Sequence, residues 1–366
     1  PRSGVKETID KAVKAGIRTI MVTGDHPLTA RSIAKEVGIL NEDSKVMTGE
    51  ELDSLTDEEL QEIVKNVSVF ARTTPQHKYR IVQALQKNGE VVAVTGDGIN
   101  DALALKGADI GIAMGIRGTD VAKEAAEVVL ADDNYITITQ GIFEGRKFFD
   151  NLQKGIKYYL AVKVALILIF LFPVLLGIPM PLAPIQIIIL ELFMDLAASA
   201  GFVAEPSEKD IYTRAPRNPK ENIINNSVIK DILIKGFVLF AGVTLIYLYA
   251  RSQNLSLIES QTLAFIAWIF GHIILAYISR SDKEPIFTLG IFTNKIMNIW
   301  AASAIGFLIL GIYLPFLNKN LNLIEINFVQ FLLTALVMIV IVGLLELRKI
   351  FSLNKNVKPV SIQNKV

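Results

Sequence analysis

Six runs of apolar residues, at 158–178, 184–204, 232–250, 262–278, 296–316 and 327–346, fill most of the second half of this 366-residue chain. Each is close to the ~20 residues that cross a bilayer core as a helix. In lipid an unpaired backbone N–H or C=O is strongly unfavourable, so runs of this length and composition fold as helices that satisfy their own hydrogen bonds. An all-α transmembrane bundle of six helices is therefore expected over 158–346, with membrane lipid around it. The connecting segments test this independently. Counting Lys plus Arg, 177–183 has none, 205–230 has five, 251–261 has one, 279–295 has three, 317–325 has one, and the chain from 347 onward has five. That alternation follows the positive-inside rule at every loop. It predicts an integral membrane protein, of the plasma membrane, whose amino-terminal domain, second and fourth loops and basic tail (347–366) are cytoplasmic.

The residues before the first run are ordinary and charged. The net charge of the whole chain is +1, so no overall basic field points to nucleic acid as a partner. With no cysteine there is no disulfide, thiolate metal site or Cys nucleophile. Pro1 is not preceded by Met and the chain runs directly into helical sequence, so it is expected to be the carboxyl portion of something longer, acting with an amino-terminal part of the same protein. Four regions are expected: a domain over 1–133, a stalk helix over 134–157 entered without a Gly-Pro-Ser linker, the bundle, and the tail.

Within 1–133, helix-like and strand-like segments alternate as in a parallel sheet with crossover helices. Helices are predicted at 5–15, ending at Gly16, at 27–38 between Pro27 and Gly38, and after Thr56, which forms a capping box with Glu59. Further helices are predicted at 76–87 and 119–126, and strands at 19–22, 67–70, 91–94 and 110–114. These make one Rossmann-like layer.

Three short segments converge on the carboxyl edge of such a layer, where open α/β sheets bind phosphate and metal. Thr95-Gly96-Asp97-Gly98-Ile99-Asn100-Asp101 follows a strand. Its glycines permit a tight turn, and Asp97 offers a carboxylate to Mg²⁺, which takes one or two carboxylates and completes its shell with water and phosphate. Asp101 is a second metal candidate, and Asn100 and Asp101 are placed to orient that ion. Thr23-Gly24-Asp25 ends another strand and presents a hydroxyl and amides to a phosphoryl oxygen. Lys78 falls in the first turn of a helix, where the helix amino terminus and an ammonium both favour phosphate. Its neighbour His77 reads as a surface residue, and Thr48-Gly49-Glu50 as an incidental surface turn.

Together these residues resemble the haloacid dehalogenase superfamily, and within it the cation-transporting P-type ATPases of the calcium- and proton-pump-like branch. The hinge signature T-G-D-G-x-N-D is matched in full at Thr95 to Asp101, and the likeness extends over Met21-Val22-Thr23-Gly24-Asp25, Thr74-Pro75 with Lys78, Gly107-Ala108-Asp109-Ile110-Gly111-Ile112-Ala113-Met114 and the six apolar runs. The resemblance implies an α/β Rossmann-like phosphorylation domain, incomplete here, followed by the helical bundle. It also implies ATP as phosphoryl donor, Mg²⁺ as cofactor and an aspartyl-phosphate intermediate. By the match, Asp97 is similar to the Mg²⁺ ligand, Thr23, Gly24, Asp25 and Lys78 to the phosphate-binding set, and Asn100 and Asp101 to residues supporting both. The family's nucleophile lies in D-K-T-G-T, which is absent from these residues. The chain alone is thus expected to be inactive. A membrane-anchored phosphatase of the same superfamily and a non-enzymatic fragment are the alternatives.

Ionisable residues inside apolar spans are functional candidates by default. The first run holds Lys163, the second Glu191 and Asp195 at i,i+4 spacing on one helix face, and the fourth His272. Lys163 has two readings, a partner in ion transport or a side chain snorkelling to the interface. Calcium pumps of the family use Asn and Glu in the fifth helix and Asn, Thr and Asp in the sixth. At the matching positions this chain has Lys163 and Leu166, then Glu191, Met194 and Asp195. Calcium needs six to eight oxygens. A proton or another monovalent ion is therefore the expected cargo, with calcium as the alternative.

Overall fold

The computed structural model describes residues 1–41, 44–219 and 221–356. The chain forms two compact units, Pro1–Arg146 with Glu208–Glu221, and Lys147–Ser207 with Asn222–Val366.

In the first unit the order is α1 (Val5–Lys14), β1 (Met21–Val22), α2 (Pro27–Glu36), β2 (Lys45–Thr48), α3 (Gly49–Asp53), α4 (Asp57–Ile63), β3 (Val67–Ala71), α5 (Pro75–Lys87), β4 (Ala93–Gly96), α6 (Ala102–Gly107), β5 (Ile110–Met114), α7 (Asp120–Ala125) and β6 (Val128–Leu130). Local chemistry sets the helix ends. Pro27 and Pro75 occupy first-turn positions where a missing N–H does no harm. Thr48, Thr56 and Thr74 each accept a hydrogen bond at the hydroxyl from the amide three residues on and donate one from their own amide to that residue's side chain, closing capping boxes. Thr48-Gly49-Glu50 is thus a helix start rather than a loose surface turn. A side chain at Gly49 would collide with the Arg72 carbonyl and the His77 ring.

Parallel pairing gives the strand orders β1-β3-β2 and β4-β5-β6, each a three-stranded sheet. The single layer expected from the sequence is therefore two small sheets, with no ladder between β1 and β4 among the described residues. β2 and β6 escaped the sequence reading because Lys45-Val46-Met47-Thr48 mixes polar ends with two apolar residues and Val128-Val129-Leu130 is only three residues long. Val67, Val69, Phe70 and Ala71 of β3 are wholly enclosed, between α2 on one side and a cluster of Leu52, Leu60, Val64, Ile81 and Leu85 on the other.

α8 (Tyr135–Leu176) is one unbroken helix, as the absence of a linker predicted, with Pro173 near its end. Arg146, on its polar stretch, donates through Nη2 to the Ala15 carbonyl (2.9 Å) and through Nη1 to those of Ile211 (3.1 Å) and Arg214 (3.0 Å). It thereby ties the end of α1 to the returning segment Glu208–Glu221. Tyr212 of that segment packs edge-on to Phe143 at 4.6 Å.

The second unit continues through α9 (Pro184–Ile189), a π-helical turn (Leu190–Asp195) and α10 (Leu196–Val203). It ends with α11 (Asn226–Ser252), α12 (Leu257–Ile278), α13 (Ile286–Leu289), α14 (Lys295–Tyr313), α15 (Pro315–Asn320) and α16 (Phe328–Asn356). Six helical stretches are long and apolar enough to cross a membrane. α12 is the most enclosed of them, burying Phe265, Trp268 and His272 in the bundle core. α16 runs on past the last apolar run, and residues 357–366 of the expected tail lie outside the described residues.

Arg146→Ala removes three charge-assisted bonds, each worth about 1.5–3 kcal/mol when one partner is ionised. Backbone hydrogen exchange across 208–221 is expected to accelerate by at least about tenfold, since local opening follows local bonding. Unchanged protection there would show that Arg146 does not hold the segment.

Candidate functional site

The first candidate site is assembled from loops that follow parallel strands. After β1, the Thr23 amide donates to the Phe70 carbonyl (2.9 Å), the Thr73 amide to that of Thr23 (3.1 Å) and the Arg72 amide to that of Asp25 (3.0 Å). The Thr23-Gly24-Asp25 turn is thereby zipped to the segment that leads into Thr74, the cap of α5. Gly24 and Asp25 are exposed, and the Thr23 hydroxyl accepts from the Asp25 amide (3.1 Å).

One turn into α5, Lys78 Nζ reaches Asp101 Oδ1 at 2.5 Å. The other carboxylate oxygen, Oδ2, accepts from the amides of Asp97 and Gly98, each at 3.1 Å. Asp101 is 6% exposed and sits directly against Gly96, where any Cβ would strike its side chain. Burial pushes the Asp101 carboxyl upward, but Lys78 and the two amides outweigh it and hold the group below its ordinary range. The turn is thus a closed ring: a glycine that makes room, a buried aspartate that fastens its own loop, and a lysine that neutralises it.

The two metal candidates separate at this point. Both oxygens of Asp101 are engaged, one by Lys78 and one by its own loop, whereas Asp97 is exposed at the tip: its backbone is tied, the amide to Asp101 and the carbonyl to the Thr119 amide (2.9 Å), but its carboxylate bonds no described residue. Among the described residues no group of three or more His, Cys, Asp or Glu side chains is disposed to hold a metal. One free carboxylate on such a turn suits Mg²⁺, which draws the rest of its shell from water and phosphate. Asn100 is exposed in the short 3-10 turn Ile99–Asp101.

His77 corrects the reading of a surface residue. It is 5% exposed, its Nδ1 accepts from the Thr74 amide (3.2 Å), and its Nε2 lies 2.8 Å from Asp53 Oδ1. The spacing from Thr74 to His77 is that of a capping box with His in the position usual for Glu, a signal present in the sequence.

The second candidate site lies in the helical unit and gathers all four ionisable residues picked out there. Lys163 Nζ, on α8, bonds Glu191 Oε2 and also Asp195 Oδ2, the latter at 2.7 Å. The ammonium also stands over the Tyr159 ring, 4.8 Å from its centre. Asp195 is 5% exposed, and its Oδ1 lies 3.3 Å from Nε2 of His272, which is fully enclosed on α12. Of the two readings of Lys163, the geometry is that of a partner to the carboxylates. Glu191 and Asp195 meet it through a π-helical turn rather than the α-helical face expected from i,i+4 spacing. Sequence reasoning missed the aromatic neighbours Tyr158, Trp268 and Trp300, which carry no charge to mark them.

Asp101→Asn is expected to destabilise the first unit by about 1.5–3 kcal/mol at neutral pH, the range for a hydrogen bond to a charged group. Because the folded carboxyl titrates below the ordinary ~3.9, its contribution is present above that value and disappears as pH falls through the lowered one. Denaturant unfolding should therefore show the gap between wild type and variant closing below about pH 4. A gap that persists in acid would remove the Lys78–Asp101 pair as its cause.

Two stretches of the chain match known families. Residues 1–109 match the haloacid dehalogenase-like hydrolases, and residues 179–351 match the family described as cation transporting ATPase, C-terminus. The chain is 40% identical over 328 residues to a calcium-transporting ATPase of Bacillus subtilis (strain 168), covering 89% of this chain and 37% of that protein. It is 36% identical over 319 residues to the human calcium-transporting ATPase type 2C member 1, covering 87% and 35%. With calcium-transporting ATPase 1 of Saccharomyces cerevisiae it is 35% identical over 363 residues, covering 97% and 38%. The chain spans a little over a third of the length of these curated relatives. A haloacid dehalogenase-like stretch and a cation transporting ATPase carboxyl-terminal stretch with six candidate membrane helices, joined in one chain, place it in the family of the P-type cation-transporting ATPases.

Proposed function

We propose that this chain works within an ATP-driven cation pump, coupling formation and hydrolysis of an aspartyl-phosphate to movement of a cation across a membrane. One observation carries the reading: a lysine clamped between two carboxylates inside apolar helices, in the same chain as the Lys78–Asp101 phosphate-type turn. A membrane-anchored phosphatase would have no use for charges placed there. The nucleophilic aspartate and the nucleotide-binding residues are supplied from outside this stretch, so the chain alone forms no phosphoenzyme.

In the phosphorylation unit, Lys78 and the amide-bearing turn at Thr23, Gly24 and Asp25 bind and orient the phosphoryl group. Asp97 is the residue that holds Mg²⁺, with Asn100 and Asp101 setting its direction. When bound, the ion neutralises charge on the transferring phosphoryl oxygens. Asp101 keeps the loop rigid, so that the Asp97 carboxylate is presented without reorganisation.

In the membrane unit, Glu191 and Asp195 are the cation-handling carboxylates, and Lys163 is a fixed counter-charge that already neutralises one of them. Counting His272 as neutral, Lys163, Glu191 and Asp195 leave a single negative charge, which one proton or one monovalent cation offsets. This supports a proton or another monovalent ion as cargo. The relatives are named for calcium, which is the second reading. Loop charges support a cytoplasmic location for the phosphorylation unit and tail. The stretch 134–157 of α8 serves as the stalk that joins the two activities.

Asp97→Asn in the full-length pump is expected to abolish Mg²⁺-dependent phosphoenzyme while leaving membrane insertion intact; normal turnover would take Asp97 out of this role. ATPase activity of the complete pump, screened across cations and pH, is expected to depend on protons or a monovalent ion, and Asp195→Asn to lose most of that stimulation. Lys163→Asn restores a neutral oxygen ligand and is expected to increase calcium stimulation. Strong calcium dependence in the wild type, unaffected by Lys163→Asn, would decide for calcium.

A further inference from the structure

Around His272 the membrane unit encloses polar atoms that no other described residue bonds. Both ring nitrogens of His272 lack a closed hydrogen bond, since Nε2 lies within ion-pair distance of Asp195 but is poorly aimed at it. Three aromatic rings surround the imidazole, with centres 5.3 Å away for Tyr158, 6.1 Å for Trp300 and 6.3 Å for Trp268. Each has a polar tip. The Tyr158 hydroxyl and the indole N–H of both tryptophans are buried and likewise unbonded by protein. α8, α12 and α14 all contribute.

A buried donor without a partner carries its full desolvation penalty, while an apolar side chain of the same shape carries none. His272 and the three rings packed on it, beside a carboxylate, are hard to explain as packing alone, because Phe and Leu would fill the same space without that penalty. They fit a ligand that both donates and accepts hydrogen bonds. Buried water does so, typically making about three bonds to groups of this kind. The position is also specific: Lys163 takes Oδ2 of Asp195, and His272 Nε2 lies beside Oδ1.

We propose that Tyr158, Trp268, His272 and Trp300 form a water-binding site that solvates the face of Asp195 turned away from Lys163. Its role rests on the pump reading. The bound water accepts hydrogen bonds from these donors and gives one to Asp195 Oδ1, so that a proton or a hydrated monovalent ion meets that carboxylate through water.

The test uses the membrane-reconstituted protein in H₂¹⁸O under X-ray radiolysis, with site-resolved mass spectrometry. Trp268 and Trp300 are expected to take up ¹⁸O at least about tenfold faster than the equally enclosed Phe265, after correction for intrinsic reactivity. Uptake at the Phe265 level would overturn the proposal. A second measurement is the Tm of Tyr158→Phe. Loss of a water-bonded hydroxyl lowers it by a few degrees, whereas a dry pocket would be relieved of an unbonded hydroxyl and the Tm would rise, again overturning the site. If both results come out as expected while the complete pump shows no cation-stimulated turnover, the water site stands and the pump reading fails.

Discussion

The ammonium of Lys163 is the contact on which the membrane unit is organised. Charged groups at the centre of a bilayer are unfavourable by roughly 2.5–3.5 kcal/mol each on insertion scales, so three of them persist only if they neutralise one another. Bonding Glu191 and Asp195 from α8 offsets one of their two negative charges, and it fixes α8 against the broken second span. The π-helical turn follows from the same demand. One extra residue in that turn lets both carboxylates reach a single nitrogen, and π-helical turns of this kind are concentrated at functional positions.

The phosphorylation unit repeats the device on a smaller scale. Lys78 neutralises a buried carboxylate, and that carboxylate spends its remaining oxygen on the amides of its own loop. In both places a lysine from one helix holds an aspartate from a neighbouring element. The consequences differ. Asp101 is locked by Lys78 and the amides of its own loop, whereas Asp195 keeps one oxygen beside His272.

Much of this was legible from residues alone. The six membrane helices followed from run length, α8 from the missing linker, and the cap at Thr56 from its partner Glu59. Both candidate sites were marked by charged residues in unusual company. His77 was misread because its enclosure depends on Asp53 and the approach of Gly49, neither of which a local window reveals. The division of labour between Asp97 and Asp101 was equally hidden, since their residue type and spacing are alike and only the reach of Lys78 tells them apart.

The sequence by itself determined which stretches would be helices in lipid, because bilayer thickness and backbone hydrogen bonding leave no other solution for apolar runs of that length. It also determined which side chains could carry chemistry. Only the tertiary structure decided which of them meet. Lys163 and Asp195 are 32 positions apart, and His272 is farther along still. Their distances depend on how three helices pack, and packing is set by side chains far from any motif.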